Sequence, residues 1–268
     1  MSTATPTHRV ETIDIDRPGI PLTRLIKVEI RKAFDTLSGR WFSASILIIC
    51  AIALTLFAIF ASDGFYDFQD LAGIAGGILG FFLPIILIML VTAEWGQRTG
   101  LVTFTLEPRR SRVVVAKLVA GVLISMGVLI VAFGIAAAAT AFAGLVRDGD
   151  PSWSLSTAFI LNYVLANIIG VLVGFVIAIL LLNTAASIVV YFIYSLVLPI
   201  VMGILAATIS WFENVPPWID FNTAQSPLFT GDLKLNGEEW AQLAVTGTIW
   251  LIIPLALGIL RLLRSEVK

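Results

Sequence analysis

Uncharged stretches alternate with short charged clusters along the chain, and the stretches have the length of a lipid bilayer. Between Arg40 and Asp63 lie 22 uncharged residues, between Asp70 and Glu94 lie 23, between Lys117 and Arg147 lie 29, and between Glu239 and Arg261 lie 21. A helix needs about 20 apolar residues to cross roughly 30 Å of hydrocarbon, so each stretch fits one crossing. A fifth, 62 residues between Asp150 and Glu213, fits two crossings with a turn near Asn183-Thr184. The pattern predicts an all-α membrane protein with spans at about 42–61, 73–93, 114–145, 158–182, 185–209 and 243–260.

Before the first span the periodicity changes. Residues 1–20 form a polar tail with Pro6 and Pro18, expected to be disordered and cytoplasmic. Over 21–40, Leu22, Leu25, Ile26, Ile30, Ala33, Phe34 and Leu37 recur at helical spacing, with Arg24, Lys27, Arg31 and Lys32 between them. Pro21 suits a helix start and Gly39 a helix end. This is an amphipathic helix with a basic face, of the kind that lies in a membrane interface. The rest, 41–268, reads as one six-span domain.

The segment 210–242 is the longest loop, and Trp211, Phe212, Trp218, Phe221 and Trp240 make it too aromatic to be freely solvated. Short helices or a re-entrant piece on the outer leaflet are expected, with the aromatics at the interface. The second span opens with Gly73, Gly76, Gly77 and Gly80, and the fourth carries Gly170 and Gly174. Small residues at this spacing let helices approach closely. Pro84 and Pro199 should kink the second and fifth spans.

Composition agrees with the pattern. Hydrophobic residues make up 58% of the chain and charged ones 13%, with mean hydropathy +0.97, whereas a soluble domain carries about 25% charged residues. Fifteen of the 17 Lys and Arg fall in the N-terminal segment, the loop after the second span and the C-terminus. The positive-inside rule therefore predicts cytoplasmic termini, which an even number of spans satisfies.

Candidate chemistry is sparse. No predicted span holds Asp, Glu, Lys, Arg or His in its interior, and the single histidine, His8, is in the tail. Intramembrane proteases, metal carriers and proton-coupled transporters keep such groups at membrane depth, so an enzyme is not expected and no metal or cofactor is assigned. Cys50 stands alone, which excludes an internal disulfide. The polar residues within spans include Thr55, Ser125, Thr140, Asn162, Asn167, Tyr191 and Thr208, read as interhelical hydrogen-bonding groups.

The loop after the second span carries the most specific pattern. It places Glu94 at the membrane exit, then Arg98, Thr99, Gly100, a short apolar run, Pro108, Arg109, Arg110, Arg112 and finally Ala116-Lys117. Glu94 suits the N-terminal end of a loop helix as an anion, and Pro108 would break that helix. Positive-inside anchoring explains the arginines but not the rest.

This order of Glu, Gly-Thr, Leu, Pro, Arg and Lys resembles the membrane subunit of type-2 ATP-binding-cassette (ABC) transporters. The segment Leu22–Trp41 is similar to their N-terminal connecting helix. One departure is that Thr99 precedes Gly100 where the usual pair is Gly-Thr. The resemblance implies a permease in the bacterial plasma membrane that exports a lipid, drug, peptide or other amphiphile. It implies that the loop is a coupling helix docking on a separate ATPase subunit, with Glu94, Arg98, Thr99, Pro108, Arg109, Arg110 and Arg112 as coupling residues. The chain has no GxxxxGK[ST] phosphate loop, so ATP and Mg belong to two copies of that partner. A second permease subunit, identical or different, is implied as well, with the glycine-rich second span and the fifth span as candidate interfaces. Membrane lipids are the other expected partner, and no nucleic acid is. The alternative is a non-transporting immunity or sensory subunit of the same fold; a channel lacks the expected charge rings or carbonyl filter.

Overall fold

The computed structural model describes residues 20–35, 37–61, 66–96, 105–107, 109–147, 149–230 and 235–264. Among these the ordered elements are helical throughout, and six are long and apolar enough to cross a membrane. The amphipathic helix is α1 (Leu22–Asp35). The spans are α2 (Leu37–Phe60), α3 (Phe68–Gly96), α4 (Arg110–Val146), α5 (Thr157–Leu181) and α6 (Thr184–Thr208), followed after the loop helices by the sixth. The expected tail lies outside the described residues apart from Ile20. The first span starts earlier than the sequence suggests. Gly39 does not end α1, which stops at Asp35, but lies in the opening turn of α2.

Short helices connect α6 to the last span: a 3-10 turn at Ser210–Phe212, α7 (Pro216–Ile219), α8 (Phe221–Gln225) and a 3-10 turn at Ser226–Thr230. Asp220 is fully buried and organises them as the N-cap of α8. Its Oδ1 accepts the Asn222 N–H at 3.0 Å, and its Oδ2 accepts the Thr223 hydroxyl at 2.6 Å. The last span, α9, comprises Gly237–Gly247, Thr248–Ile252 and Ile253–Arg264, and opens with a reciprocal capping box between Asn236 and Glu239.

The core lies between α3 and α5. In α3, 61% of the most apolar stretch is buried and in α5 50%, against 11% in α6 and 17% in α9. Glycine makes the close approach possible. A Cβ on Gly76 would stand 2.2 Å from the Tyr163 ring, and one on Gly174 would stand 2.7 Å from the backbone oxygen of Pro84. Gly73 lies against Phe159, Gly80 near Asn167, and Gly170 near the Gly80 carbonyl. Gly77, counted with them from the sequence, faces open space, since one residue turns about 100° around a helix and carries it off this seam. Gly121 against Leu87 and Gly258 against Ile179 are further close approaches.

Pro84 has no N–H to give the Gly80 carbonyl, its i−4 partner. The Tyr191 hydroxyl on α6 reaches this gap, donating to the carbonyl of Phe81 at 2.9 Å and lying 3.4 Å from that of Gly80. Other span hydroxyls behave differently from the expectation of interhelical bonding. Thr55, Ser125, Thr140 and Thr208 donate to carbonyls four residues back in their own helices, which satisfies them locally in an apolar medium.

Two spans contain π-helical turns, Ile193–Val197 in α6 and Thr248–Ile252 in α9. Each is closed by an i−5 bond, from Leu198 to Ile193 and from Ile253 to Thr248, and a proline follows directly, Pro199 and Pro254. The proline's missing N–H frees the carbonyl four residues earlier, and the ladder widens by one residue to accommodate it. The two turns meet where the Tyr194 and Trp250 rings lie 4.7 Å apart.

Ile20, the start of α4, the α5–α6 turn and the end of α9 gather at one end of the bundle. Arg112 donates to the Ile20 carbonyl, Arg110 to that of Leu262 at 2.6 Å, and Arg261 to that of Leu180. At this end α4 is long: 37 residues reach about 55 Å at 1.5 Å per residue, so it extends beyond roughly 30 Å of hydrocarbon.

Candidate functional site

α1 is amphipathic, yet Glu29 lies on its inward face between Ile26 and Ala33, where a carboxylate needs a partner. The partners come from two other elements. Lys117, two turns into α4, places its Nζ 2.7 Å from Glu29 Oε2 and 3.3 Å from Glu94 Oε1. Lys32 places its Nζ 2.7 Å from Glu29 Oε1 and 2.9 Å from Glu94 Oε1. The four groups form a square of alternating charge with no net charge. Glu29, Glu94 and Lys117 are each no more than 4% exposed, and Lys32 closes the square from the more open side. Burial alone would lower the Lys32 pKa, but its hydrogen bond to Glu29 and the charges of Glu94 and Glu29 outweigh this and hold it above the ordinary 10.5.

The square joins α1, the end of α3 and the start of α4. Glu94 therefore does not act as an N-terminal anion of a loop helix: α3 continues to Gly96, and Glu94 lies in its last turn, buried against two lysines. Thr92, also buried, shares a 2.7 Å hydroxyl contact with Thr184 at the start of α6.

The other loop residues divide by environment. Arg112 pairs with buried Glu107 at 2.8 Å, and Glu107 also accepts the Arg109 backbone N–H at 3.3 Å. Arg110 faces the end of α9. Arg109 and Leu106 are exposed, Leu106 by 68%. Arg98, Thr99 and Pro108 lie outside the described residues. Among the described residues no group of His, Cys, Asp or Glu is arranged to hold a metal ion.

A cavity of about 860 Å³ opens beside the square, walled by α1, the first turns of α2, the end of α3 and the start of α4. Its walls are mainly apolar, including Leu25, Val28, Phe42, Met89 and Leu90, with Arg24 and Lys32 among the charged groups.

Sequence reasoning named Glu94 as a site residue and ended the loop pattern on Lys117, but joined neither to Glu29 or Lys32. The available signal was Glu29 itself, an acid on the apolar face of an amphipathic helix. No family model matches this chain, and a search of curated proteins gives no match.

Proposed function

We propose that the chain is the membrane subunit of a type-2 ABC transporter, an exporter of a lipid, drug, peptide or other amphiphile, driven by a separate ATPase. In this reading both termini are cytoplasmic, the membrane is the bacterial plasma membrane, and the segment 94–113 receives the ATPase. ATP and Mg are bound by that partner, and a second permease subunit completes the path.

The observation that carries the reading is the ion-pair square of Glu29, Lys32, Glu94 and Lys117. It ties both ends of the loop between α3 and α4 to α1. Displacing the loop must then move α1 and the feet of two spans together, because separating one buried charge from its partners is costly. That is what a subunit without its own nucleotide site requires. Glu94 and Arg112 serve here as positioning residues, and the exposed Leu106 and Arg109 offer direct contact. A second copy would meet the exposed apolar face of α6 rather than the glycine-rich face of α3, which α5 already covers.

The test is affinity purification of the chain from its native membrane in mild detergent. Wild type should recover an ATP-hydrolysing subunit. Leu106→Asp with Arg109→Glu should lose it while the protein stays folded. A folded wild type that recovers no such subunit across several detergents overturns the reading. An ATPase that co-purifies but does not respond to candidate amphiphiles would indicate the non-transporting alternative.

A further inference from the structure

The cavity beside the ion-pair square and the outer face of α1 point to one ligand. Arg24, Lys27 and Arg31 are exposed and fall within about 60° of arc on α1, at 100° per residue. Among the described residues none of their side chains has an ion pair or hydrogen bond. Arg24 also lines the cavity. The cavity's acids Glu29, Glu94 and Glu107 are committed to Lys32, Lys117 and Arg112. That leaves Asp35, about 16 Å further along the helix axis. The rim near Arg24 is therefore cationic and the interior apolar.

The volume, about 860 Å³, lies within the ~300–1,000 Å³ of small-ligand sites. The site lies where the chain enters its first span: α2 starts at Leu37, and Leu37 and Trp41 are 64% and 65% exposed, as suits an interfacial belt. A ligand at this depth with an apolar body and an anionic head is a membrane lipid.

We propose that this cavity binds an anionic phospholipid, its acyl chain between α1 and the feet of α2, α3 and α4, and its phosphate on Arg24 with Lys27 and Arg31 on the adjoining turns. The helix that holds the headgroup also holds Glu29 and Lys32, so lipid binding and the ion-pair square share one rigid element. The proposal requires only that α1 lies at the membrane and is independent of the transporter reading.

The full chain, purified and incubated with equal phosphatidylglycerol and phosphatidylcholine in mild detergent, is examined by native mass spectrometry. Wild type should retain phosphatidylglycerol in preference to phosphatidylcholine. Arg24→Gln should lower that preference about fivefold, the worth of one basic residue at an anionic surface. Ser43→Phe, which places a ring in the cavity from α2, should remove both lipids while helix content stays unchanged. Equal retention of the two lipids overturns the proposal, as does a folded wild type that keeps neither, or a folded Ser43→Phe protein that keeps phosphatidylglycerol. If Arg24→Gln leaves lipid retention intact but weakens recovery of a soluble subunit, the basic face belongs to a protein and the proposal also fails.

Discussion

Lys117 is buried between two carboxylates and pairs with both. Lys117→Met removes one cation and leaves Glu29 and Glu94 to share Lys32. Breaking a buried pair in this way costs about 3–5 kcal/mol, and we expect a loss of that order in the thermal stability of the detergent-purified protein. Adding Glu29→Gln, which leaves the neutral Lys32–Glu94 pair, should recover part of it; no recovery would show that the square is not held by ion pairing. The pH dependence has a definite sign. The folded-state pKa of Lys32 lies above its unfolded value, so its contribution is fully present below pH 10.5 and lost as pH rises through the raised value. Melting curves from pH 8 to 11 should show this loss only at the alkaline end, and Lys32→Met should flatten it. Tyr191→Phe leaves the carbonyls beside Pro84 without their hydroxyl donor. It should cost about 1 kcal/mol, read in the same melting assay.

The helices make unequal use of their glycines, and substitution can measure the difference. Gly174→Ala brings a methyl group to 2.7 Å from the Pro84 backbone oxygen, which no side-chain rotation relieves. A cost of about 1–3 kcal/mol is expected. Gly77→Ala meets nothing within 4 Å and should gain up to about 1 kcal/mol from better helix propensity. Equal effects at the two positions would rule out the α3–α5 seam. The number and lengths of the spans were legible because charge-free runs of bilayer length have one economical reading. The facing of each helix was not. Spans apolar all round carry no amphipathic signal, so the sequence could propose the α3 glycines for contact without telling an inner neighbour from a second subunit. Pro254 shows another limit: as in Pro199, the residue announces a disturbance, but only the ladder shows that a π turn stands before it.

Across the whole molecule, the junction at one end is where sequence and structure complement each other. The loop pattern drew attention to Glu94 and ended on Lys117, but the second cation on Glu94, Lys32, is 62 residues earlier, and pairing over such a separation leaves no local trace. What a closer reading could have caught is Glu29, whose place on the apolar arc of α1 requires a buried cation. The paired π turns carry a consequence of a different kind. Each holds one residue more than an α-helical turn of the same length, so α6 and α9 each contain a position with no counterpart in a regular span. Removing a single codon within 248–252 should let the ladder close as an ordinary helix and leave the flanking faces aimed as before. Removing one from the regular stretch 253–264 rotates everything beyond it by about 100°. A scan of one-residue deletions read by membrane expression should therefore find its tolerated positions at the two meeting turns. These are the points at which a lineage could gain or lose a residue and keep the bundle.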